Sequence, residues 1–200
     1  MEKVTKVTKE LYQVIYADPP WRYSFSKSST RKIENQYPTM SVEEICALKI
    51  PSDENAVLYL WATAPKLIEA LEVMKSWGFT YKTHAIWDKE KIGMGFWFRG
   101  QHELLMVGTK GNFSPPSASI RIPSVIRETR GKHSRKPYLV REHIVKSYPN
   151  FKKLELFARA KYPEFDNWGN ETEIDVELNI DPQSMKTASK LKKLELFENV

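Results

Sequence analysis

The sequence is poor in the residues that build cross-links and metal centres. Its 200 residues include one cysteine, Cys46, and four histidines without metal-ligand spacing. These counts exclude an internal disulfide and a multi-cysteine zinc site, and we expect no metal. The single thiol predicts a reducing, cytoplasmic compartment. We expect neither a signal peptide nor a membrane-spanning segment, because no run is apolar enough.

Several nucleotide-handling motifs are also missing. The chain has no Gly-x-Gly-x-x-Gly, no Walker loop and no His-x-Glu paired with Pro-Cys-x-x-Cys. Because each of these motifs carries specific chemistry, their absence argues against a dinucleotide-dependent enzyme, a P-loop NTPase and a zinc nucleobase deaminase.

Charge of both signs is plentiful but unevenly spread. Up to Tyr162 there are 27 lysines and arginines against 16 acids, and from Pro163 there are 4 against 9. Residues 121–141 are the densest basic segment. A basic body is typical of a protein that binds nucleic acid, although a solvated surface remains the alternative. We expect one domain over residues 1–172 and an acidic, partly helical tail over 173–200.

The hydrophobic pattern predicts strands that alternate with helices. Strand patterns cover residues 11–17, 56–61, 79–88, 102–111 and 153–159. Helix patterns cover residues 41–49, which open with a capping box, 65–77 and 137–148. The predicted buried face of the second helix consists of Leu67, Ile68, Leu71 and Met74. Strand, helix and strand at this spacing indicate a parallel sheet.

The segment Asp18-Pro19-Pro20-Trp21 directly follows the first predicted strand. Two prolines remove two N–H donors, so we expect the neighbouring carbonyls to point outward as acceptors. Together with the Asp18 carboxylate, such a carbonyl could bind both hydrogens of an amino group, while Trp21 offers a stacking surface. The alternative is a turn that simply ends a strand.

Two further segments could contact a substrate. Residues 23–36 contain four serines and three cations without apolar periodicity, and could form either a substrate lid or a surface connection. Residues 89–101 form an aromatic and basic loop that includes Trp97. This loop could stack on bases and contact a nucleic-acid backbone, or it could close the edge of the core.

Several motifs together resemble those of the Asp-Pro-Pro-Trp adenine-N(6) methyltransferases, the MT-A70-like family. The resemblance covers roughly residues 11–172. The segments that carry it are Asp18-Pro19-Pro20-Trp21, Tyr37-Pro38-Thr39-Met40, His102 to Gly111, Ser134-Arg135-Lys136-Pro137, Lys153 to Arg159 and Gly169-Asn170-Glu171. Arg135 stands where the family usually has histidine.

The resemblance implies a fold and a set of site residues. The fold is α/β of the class I, Rossmann-like methyltransferase type: a doubly wound, mostly parallel sheet, permuted so that the catalytic motif precedes the cofactor motif. The implied catalytic residues are Asp18, Pro19, Pro20 and Trp21. The implied S-adenosylmethionine-binding residues are Lys136, Phe157, Arg159, Asn170 and Glu171. The expected substrate-binding residues are Tyr37, Trp97, Glu103, Arg130 and Arg135.

The expected function is methyl transfer from S-adenosylmethionine to the exocyclic N(6) amine of adenine in nucleic acid, with DNA favoured over RNA. Three alternatives stay open: an RNA methyltransferase, a catalytically silent nucleic-acid-binding partner of the same fold, and methylation of a protein or small amine. We expect a monomer or homodimer, and a second subunit also stays open.

Overall fold

The computed structural model describes residues 11–23, 39–131 and 135–178, and the fold is stated for those residues. The strands are β1 (Tyr12–Ala17), β2 (Ser52–Thr63), β3 (Thr80–Asp88), β4 (His102–Lys110), β5 (Val125–Arg127), β6 (Lys153–Leu156) and β7 (Asp166–Trp168). The α-helices are α1 (Val42–Cys46), α2 (Leu67–Ser76) and α3 (Tyr138–Ser147). Two short 3₁₀ helices span Ala64–Lys66 and Ala118–Ile120.

The seven strands form a single sheet in the order β5-β3-β4-β2-β1-β6-β7. Six of them point the same way, and β4 runs antiparallel between β2 and β3. The predicted strand, helix and strand unit is therefore present with both strands parallel, but β4 separates them. The doubly wound, mostly parallel sheet predicted from the sequence is confirmed.

Two hydrophobic clusters cover the two faces of the sheet. Helices α1 and α2 pack on one face, where Ile15, Leu58 and Met74 are buried. Helix α3 packs on the other, where Val14, Val57 and Ile144 are buried. Neighbouring residues of β1 and β2 thus point to opposite layers, as the pleat of a strand requires. This arrangement leaves the carboxyl ends of the parallel strands free to form a site.

The ends of α1 and α2 follow the local sequence signals. Ser41 and Glu44 form the predicted capping box at the start of α1, with the Ser41 amide 2.7 Å from the Glu44 carboxylate. At the end of α2, Gly78 adopts a φ of 82°, which favours glycine. The Gly78 and Phe79 amides donate to the Lys75 and Met74 carbonyls, the pattern of a Schellman motif.

The predicted buried face of α2 is wrong at three of its four positions. Leu67, Ile68 and Leu71 are exposed, and only Met74 lies in the core. The helix instead buries Ala70, Val73 and Met74. Both stripes are apolar, but the small Ala70 side chain lets the helix approach the sheet closely, so the second stripe packs better.

Packing continues beyond residue 172, the predicted end of the domain. Val176 is buried in the same cluster as α1 and α2. The Asp175 carboxylate accepts hydrogen bonds from the Asn167 amide at 3.1 Å and from Lys161 at 2.9 Å. The acidic segment therefore packs on the domain at least as far as these residues. The rest of the predicted tail lies outside the described residues.

Residues 24–38, which include most of the predicted lid and Tyr37, also lie outside the described part of the chain. Among the described helices, none has both the length and the apolar composition that crossing a membrane requires.

Candidate active site

The Asp18 loop leaves the carboxyl end of β1 in the centre of the sheet, and its backbone is fixed by hydrogen bonds. The Pro19 carbonyl accepts from the Trp21 amide at 2.9 Å, and the Pro20 carbonyl accepts from the Met40 amide at 2.8 Å. The sequence predicted that the neighbouring carbonyls point outward as acceptors, and in the structure each of these two already accepts one backbone donor. A carbonyl oxygen has two lone pairs, however, and Pro19 lines the pocket, so Pro19 can still accept a second donor.

Trp21 serves mainly to fix this loop. Its ring is 5% exposed, and its indole N–H donates to the Trp61 carbonyl at 3.1 Å. The Trp61 indole in turn donates to the Tyr16 hydroxyl at 2.8 Å. Burial raises the pKa of Tyr16, so this hydroxyl stays neutral. Trp21 still lines the pocket but presents only a small part of its surface there.

Lys136 lies between the two acids of the pocket. Its ammonium is 2.8 Å from the Asp18 carboxylate and 3.2 Å from the Glu103 carboxylate. It also lies 5.6 Å from the centre of the Trp61 ring. Burial alone lowers the pKa of Lys136, but Asp18 and Glu103 outweigh burial and raise it, so the side chain is charged at neutral pH.

Glu103 reaches this site because β4 runs antiparallel to β2. Glu103 is the second residue of β4, so it lies at the same edge of the sheet as the last residues of β2, and its Cα pairs with that of Thr63. The second Glu103 oxygen is 3.3 Å from the Lys89 ammonium. Glu103 therefore accepts from two lysines, and one of them also binds Asp18.

The segments that follow β6 and β7 are in tight backbone contact with each other beside the pocket. Phe157, just after β6, has a φ of 62°, in the left-handed region that bulky residues rarely adopt. The Ala158 amide donates to the Trp168 carbonyl at 3.0 Å. A Cβ on Gly169 would lie 2.2 Å from the Ala158 carbonyl oxygen, so only glycine is accommodated here. Backbone strain of this kind is typical of functional sites.

The side chains that follow these two strands are polar. Arg159 lines the pocket, and its guanidinium lies 3.7 Å from the Glu171 carboxylate. Asn170 and Glu171 are exposed. The Phe157 ring does not line the pocket but packs edge-on against Trp168, with centroids 5.3 Å apart. The segments that follow two consecutive strands thus place a cation, an amide and a carboxylate at one edge of the sheet.

The structure brings together about half of the residues predicted from the sequence. The predicted residues that line the pocket are Asp18, Pro19, Trp21, Glu103, Lys136 and Arg159. The predicted residues Trp97, Arg130 and Arg135 are exposed and do not line it. Arg130 lies at the root of the 89–101 loop, where its amide donates to the Lys89 carbonyl at 3.2 Å.

Some pocket residues were not predicted. They are Tyr23, Trp61, Ala62 and Thr63. The last three end β2, the neighbour of β1, and the rule that ligands bind at the carboxyl ends of parallel strands could have found them. The Tyr23 hydroxyl lies 2.6 Å from the Thr63 hydroxyl, a contact that no sequence spacing indicates.

The family model of MT-A70 matches residues 12–171, from β1 to the exposed segment after β7. The chain belongs to the MT-A70 family. Its predicted class, a methyltransferase directed at the adenine N(6) amine, is thereby confirmed, as is the Rossmann-like methyltransferase fold.

The similarity to individual members differs in extent. The chain is 35% identical to the type II methyltransferase M.MunI of Mycoplasma sp, over 90% of this chain and 88% of M.MunI. It is 28% identical to an N(6)-adenosine-methyltransferase MT-A70-like protein of Drosophila melanogaster and 30% identical to one of Arabidopsis thaliana. These two matches cover 80% and 74% of this chain but only 27% and 22% of the relatives.

Proposed function

We propose that this MT-A70 protein transfers a methyl group from S-adenosylmethionine to the N(6) amine of adenine in DNA. The observation that carries the proposal is the pocket itself. The Asp18 carboxylate and the Pro19 carbonyl share it with the cations Lys136 and Arg159.

The acceptors of the Asp18 loop suit an exocyclic amine. Lys136 contacts Asp18 Oδ2, and a carboxylate has acceptor sites on both oxygens, so Oδ1 can accept one amine hydrogen while the Pro19 carbonyl accepts the other. Holding both hydrogens favours attack by the nitrogen lone pair. The Asp18 carboxylate also stabilises the positive charge that develops on nitrogen, and the proton released afterwards can leave through it.

The residues after β6 and β7 suit the methyl donor. Arg159 and Lys136 can bind a carboxylate, while Asn170 and Glu171 can accept from ribose hydroxyls. When bound, S-adenosylmethionine supplies an electrophilic methyl group on a sulfonium. The fixed backbone at Phe157, Ala158 and Gly169 holds these side chains in place, so the protein contributes chiefly by orienting the two reactants.

DNA is the polymer we favour. The match to the type II methyltransferase M.MunI extends along nearly all of both chains. The relatives named as N(6)-adenosine-methyltransferases share about a quarter of their length with this chain. RNA methylation is the competing assignment.

A silent binding partner of the same fold is a further alternative, but it would need neither Asp18 in contact with Lys136 nor Arg159 beside Glu171. The protein could act as a monomer or a homodimer, or together with a second subunit.

The test is transfer of labelled methyl to duplex DNA, single-stranded DNA and RNA of matched sequence. We expect label on adenine N(6) in DNA and a loss of at least about 1,000-fold for Asp18→Ala. The matched control is Glu54→Ala, which removes an exposed carboxylate from the opposite end of β2. Label confined to RNA would overturn the choice of polymer. Normal transfer by Asp18→Ala would overturn the role of Asp18.

A further inference from the structure

The loop between β3 and β4 is a closed hairpin rather than an irregular connection. Its root is joined by the Lys89 amide, which donates to the Gln101 carbonyl at 2.9 Å. Its neck is joined by the Gly93 amide, which donates to the Gly100 carbonyl at 2.8 Å, and by the Gly100 amide, which donates to the Met94 carbonyl at 3.0 Å. These bonds hold the intervening residues as a compact projecting tip.

Glycine is required for this shape. A Cβ on Gly93 would lie 2.7 Å from the Gly100 carbonyl oxygen, and a Cβ on Gly95 would lie 1.9 Å from the Phe98 carbonyl oxygen. The Arg99 guanidinium also donates to the Gly93 carbonyl at 2.7 Å and closes the tip. The sequence is therefore matched to one defined hairpin conformation.

The tip presents three consecutive aromatic side chains to solvent. Phe96, Trp97 and Phe98 are 96%, 94% and 89% exposed. The other five tryptophans of the chain are buried or half-buried. A contiguous, fully exposed apolar cluster on a fixed hairpin is typical of a binding surface rather than of a core edge.

The hairpin is connected to the catalytic pocket through charged contacts. Lys89, at its root, contacts Glu103, which contacts Lys136, which contacts Asp18. On the other side of the root, the Gln101 amide donates to the Asp88 carboxylate at 2.9 Å. The root of the hairpin is thus linked by contacts to the residue that would bind the adenine amine.

Cations surround the root of the hairpin and indicate the kind of partner. Lys91, Arg99, Arg127 and Arg130 are all exposed. Asp88, Glu90 and Glu128 oppose them: the Asp88 carboxylate lies 3.9 Å from the Arg127 guanidinium, and the Glu90 carboxylate accepts from the Thr129 hydroxyl at 2.6 Å. The net positive charge complements a phosphate backbone, whereas a symmetric contact between two copies of the chain would bring these cations together.

We propose that the tip Phe96-Trp97-Phe98 enters the base stack of duplex DNA beside the target adenine, while the cations at the root contact the flanking phosphates. This role rests on the proposed function, because Asp18 can reach an adenine only after the base has left its stack. Apolar side chains wedged between base steps offset part of the cost of opening them. The hairpin would therefore matter for paired adenine and much less for unpaired adenine.

The experiment compares two DNA duplexes that contain an adenine labelled in the methyl-transfer assay. In one the target adenine is paired with thymine, and in the other it lies opposite an abasic position. The hairpin variant is Phe96→Ser/Trp97→Ser/Phe98→Ser. The matched control, Ile68→Ser/Leu71→Ser, removes exposed apolar side chains from α2. Circular dichroism and sedimentation velocity check the fold and the oligomeric state of each variant.

We expect kcat/KM of the hairpin variant to fall about 100-fold on the paired duplex and less than tenfold on the abasic one. The control should change neither value by more than about twofold. Equal losses on both duplexes would overturn the proposal, as would an unchanged rate on the paired duplex. Conversion of a dimer into a monomer by the hairpin variant would assign the tip to a second copy of the chain.

Tryptophan fluorescence separates a failure of this proposal from a failure of the proposed function. Stacking against bases should quench Trp97, so the signal lost on adding duplex DNA should be larger for the wild type than for Trp97→Phe. This readout needs no methyl transfer. Quenching by a protein that methylates no adenine would contradict the proposed function alone. Methylation without any Trp97-dependent quenching would contradict the hairpin role alone.

Discussion

Lys136 carries the positive charge that keeps two carboxylates together in the pocket. Its Nζ atom contacts Asp18 at 2.8 Å and Glu103 at 3.2 Å, and its pKa is raised by them in spite of burial. Without that charge the two carboxylates would repel each other. Lys136 therefore holds the Asp18 carboxylate beside Glu103, in addition to any contact with the methyl donor.

Replacing Lys136 with methionine should lower kcat/KM about 100-fold, because repulsion between Asp18 and Glu103 would displace the carboxylate that would bind the amine. Methyl-transfer rates measure the loss. Lys89→Met is the comparison, since Lys89 contacts Glu103 but not Asp18. It should cause a smaller loss. Equal losses for the two variants would contradict this role of Lys136.

Cys46 allows the burial of one core side chain to be tested directly. The side chain is 4% exposed in α1, and burial raises the pKa of its thiol to about 11. At pH 7.5 the folded protein should react with a thiol-specific reagent at least about 100-fold more slowly than the unfolded chain. Ellman's reagent with and without urea measures the ratio. Comparable rates in the two states would contradict the burial.

Sequence motifs identified single residues of the pocket but not their contacts. Asp18, Glu103, Lys136 and Arg159 were each predicted from local segments. The pairing of Asp18 with Lys136 joins residues from opposite halves of the chain and depends on where α3 begins relative to β1. Trp21 shows the reverse: the motif indicated a stacking surface, while packing against β2 buries most of the ring.

At the level of elements, the segments that follow β6 and β7 determine where the predicted cofactor-binding side chains lie. The backbones of Ala158 and Gly169 are in direct contact, and the next side chains along each segment, Arg159 and Asn170, are predicted to bind the methyl donor. β7 itself was not predicted, because its three residues, Asp-Asn-Trp, are too few and too polar to show strand periodicity.

Gly169→Ala should therefore destabilise the protein by about 1–3 kcal/mol, because the new methyl group collides with the Ala158 backbone. It should also weaken binding of S-adenosylmethionine. Gly131→Ala is the matched control, since a Cβ there would meet no atom within 4 Å. Urea unfolding and calorimetric titration measure the two effects. Equal free energies of unfolding for the two variants would show that the backbone around Ala158 can move to accommodate the methyl group without loss of stability.

Helix α3 and strand β6 are joined by a buried ion pair. The Arg141 guanidinium lies 2.6 Å from the Glu155 carboxylate and 3.7 Å from the centre of the Tyr162 ring. Both charged residues are less than 10% exposed. Sequence reasoning assigned Arg141 to a basic surface segment, because a charge pattern does not reveal that one member faces inward.

Arg141→Met should destabilise the domain by about 3–5 kcal/mol, since it leaves Glu155 buried without a partner. The double variant Arg141→Met/Glu155→Gln should recover part of that loss. Urea unfolding of wild type, both single variants and the double variant gives the coupling energy. Additive effects would mean that the pair contributes no specific interaction.

At the level of the whole molecule, three exposed arginines lie near the carboxyl edge of the sheet, at Arg127, Arg130 and Arg135. The sequence predicted a basic body. It did not show that these arginines lie at the same edge of the sheet as Asp18, because the topology decides which loops meet there.

The variant Arg127→Gln/Arg130→Gln/Arg135→Gln should lower the slope of log affinity for DNA against log salt by about 2–3, one for each lost phosphate contact. The control Lys75→Gln/Lys82→Gln/Lys146→Gln removes the same charge from exposed positions near the amino edge. It should leave the slope almost unchanged. Fluorescence anisotropy over a range of salt concentrations measures both. Equal changes in slope would contradict a localised phosphate-binding surface.

The reversed direction of β4 has a consequence for how the protein can diversify. Because β3 and β4 are adjacent and antiparallel, with Asp88 paired to His102, the segment between them begins and ends at one point of the catalytic edge. Its length and composition can change without altering any strand register or helix. Proteins that evolve from this fold can therefore replace the hairpin and acquire new target preferences, while Asp18 and Lys136 stay unchanged.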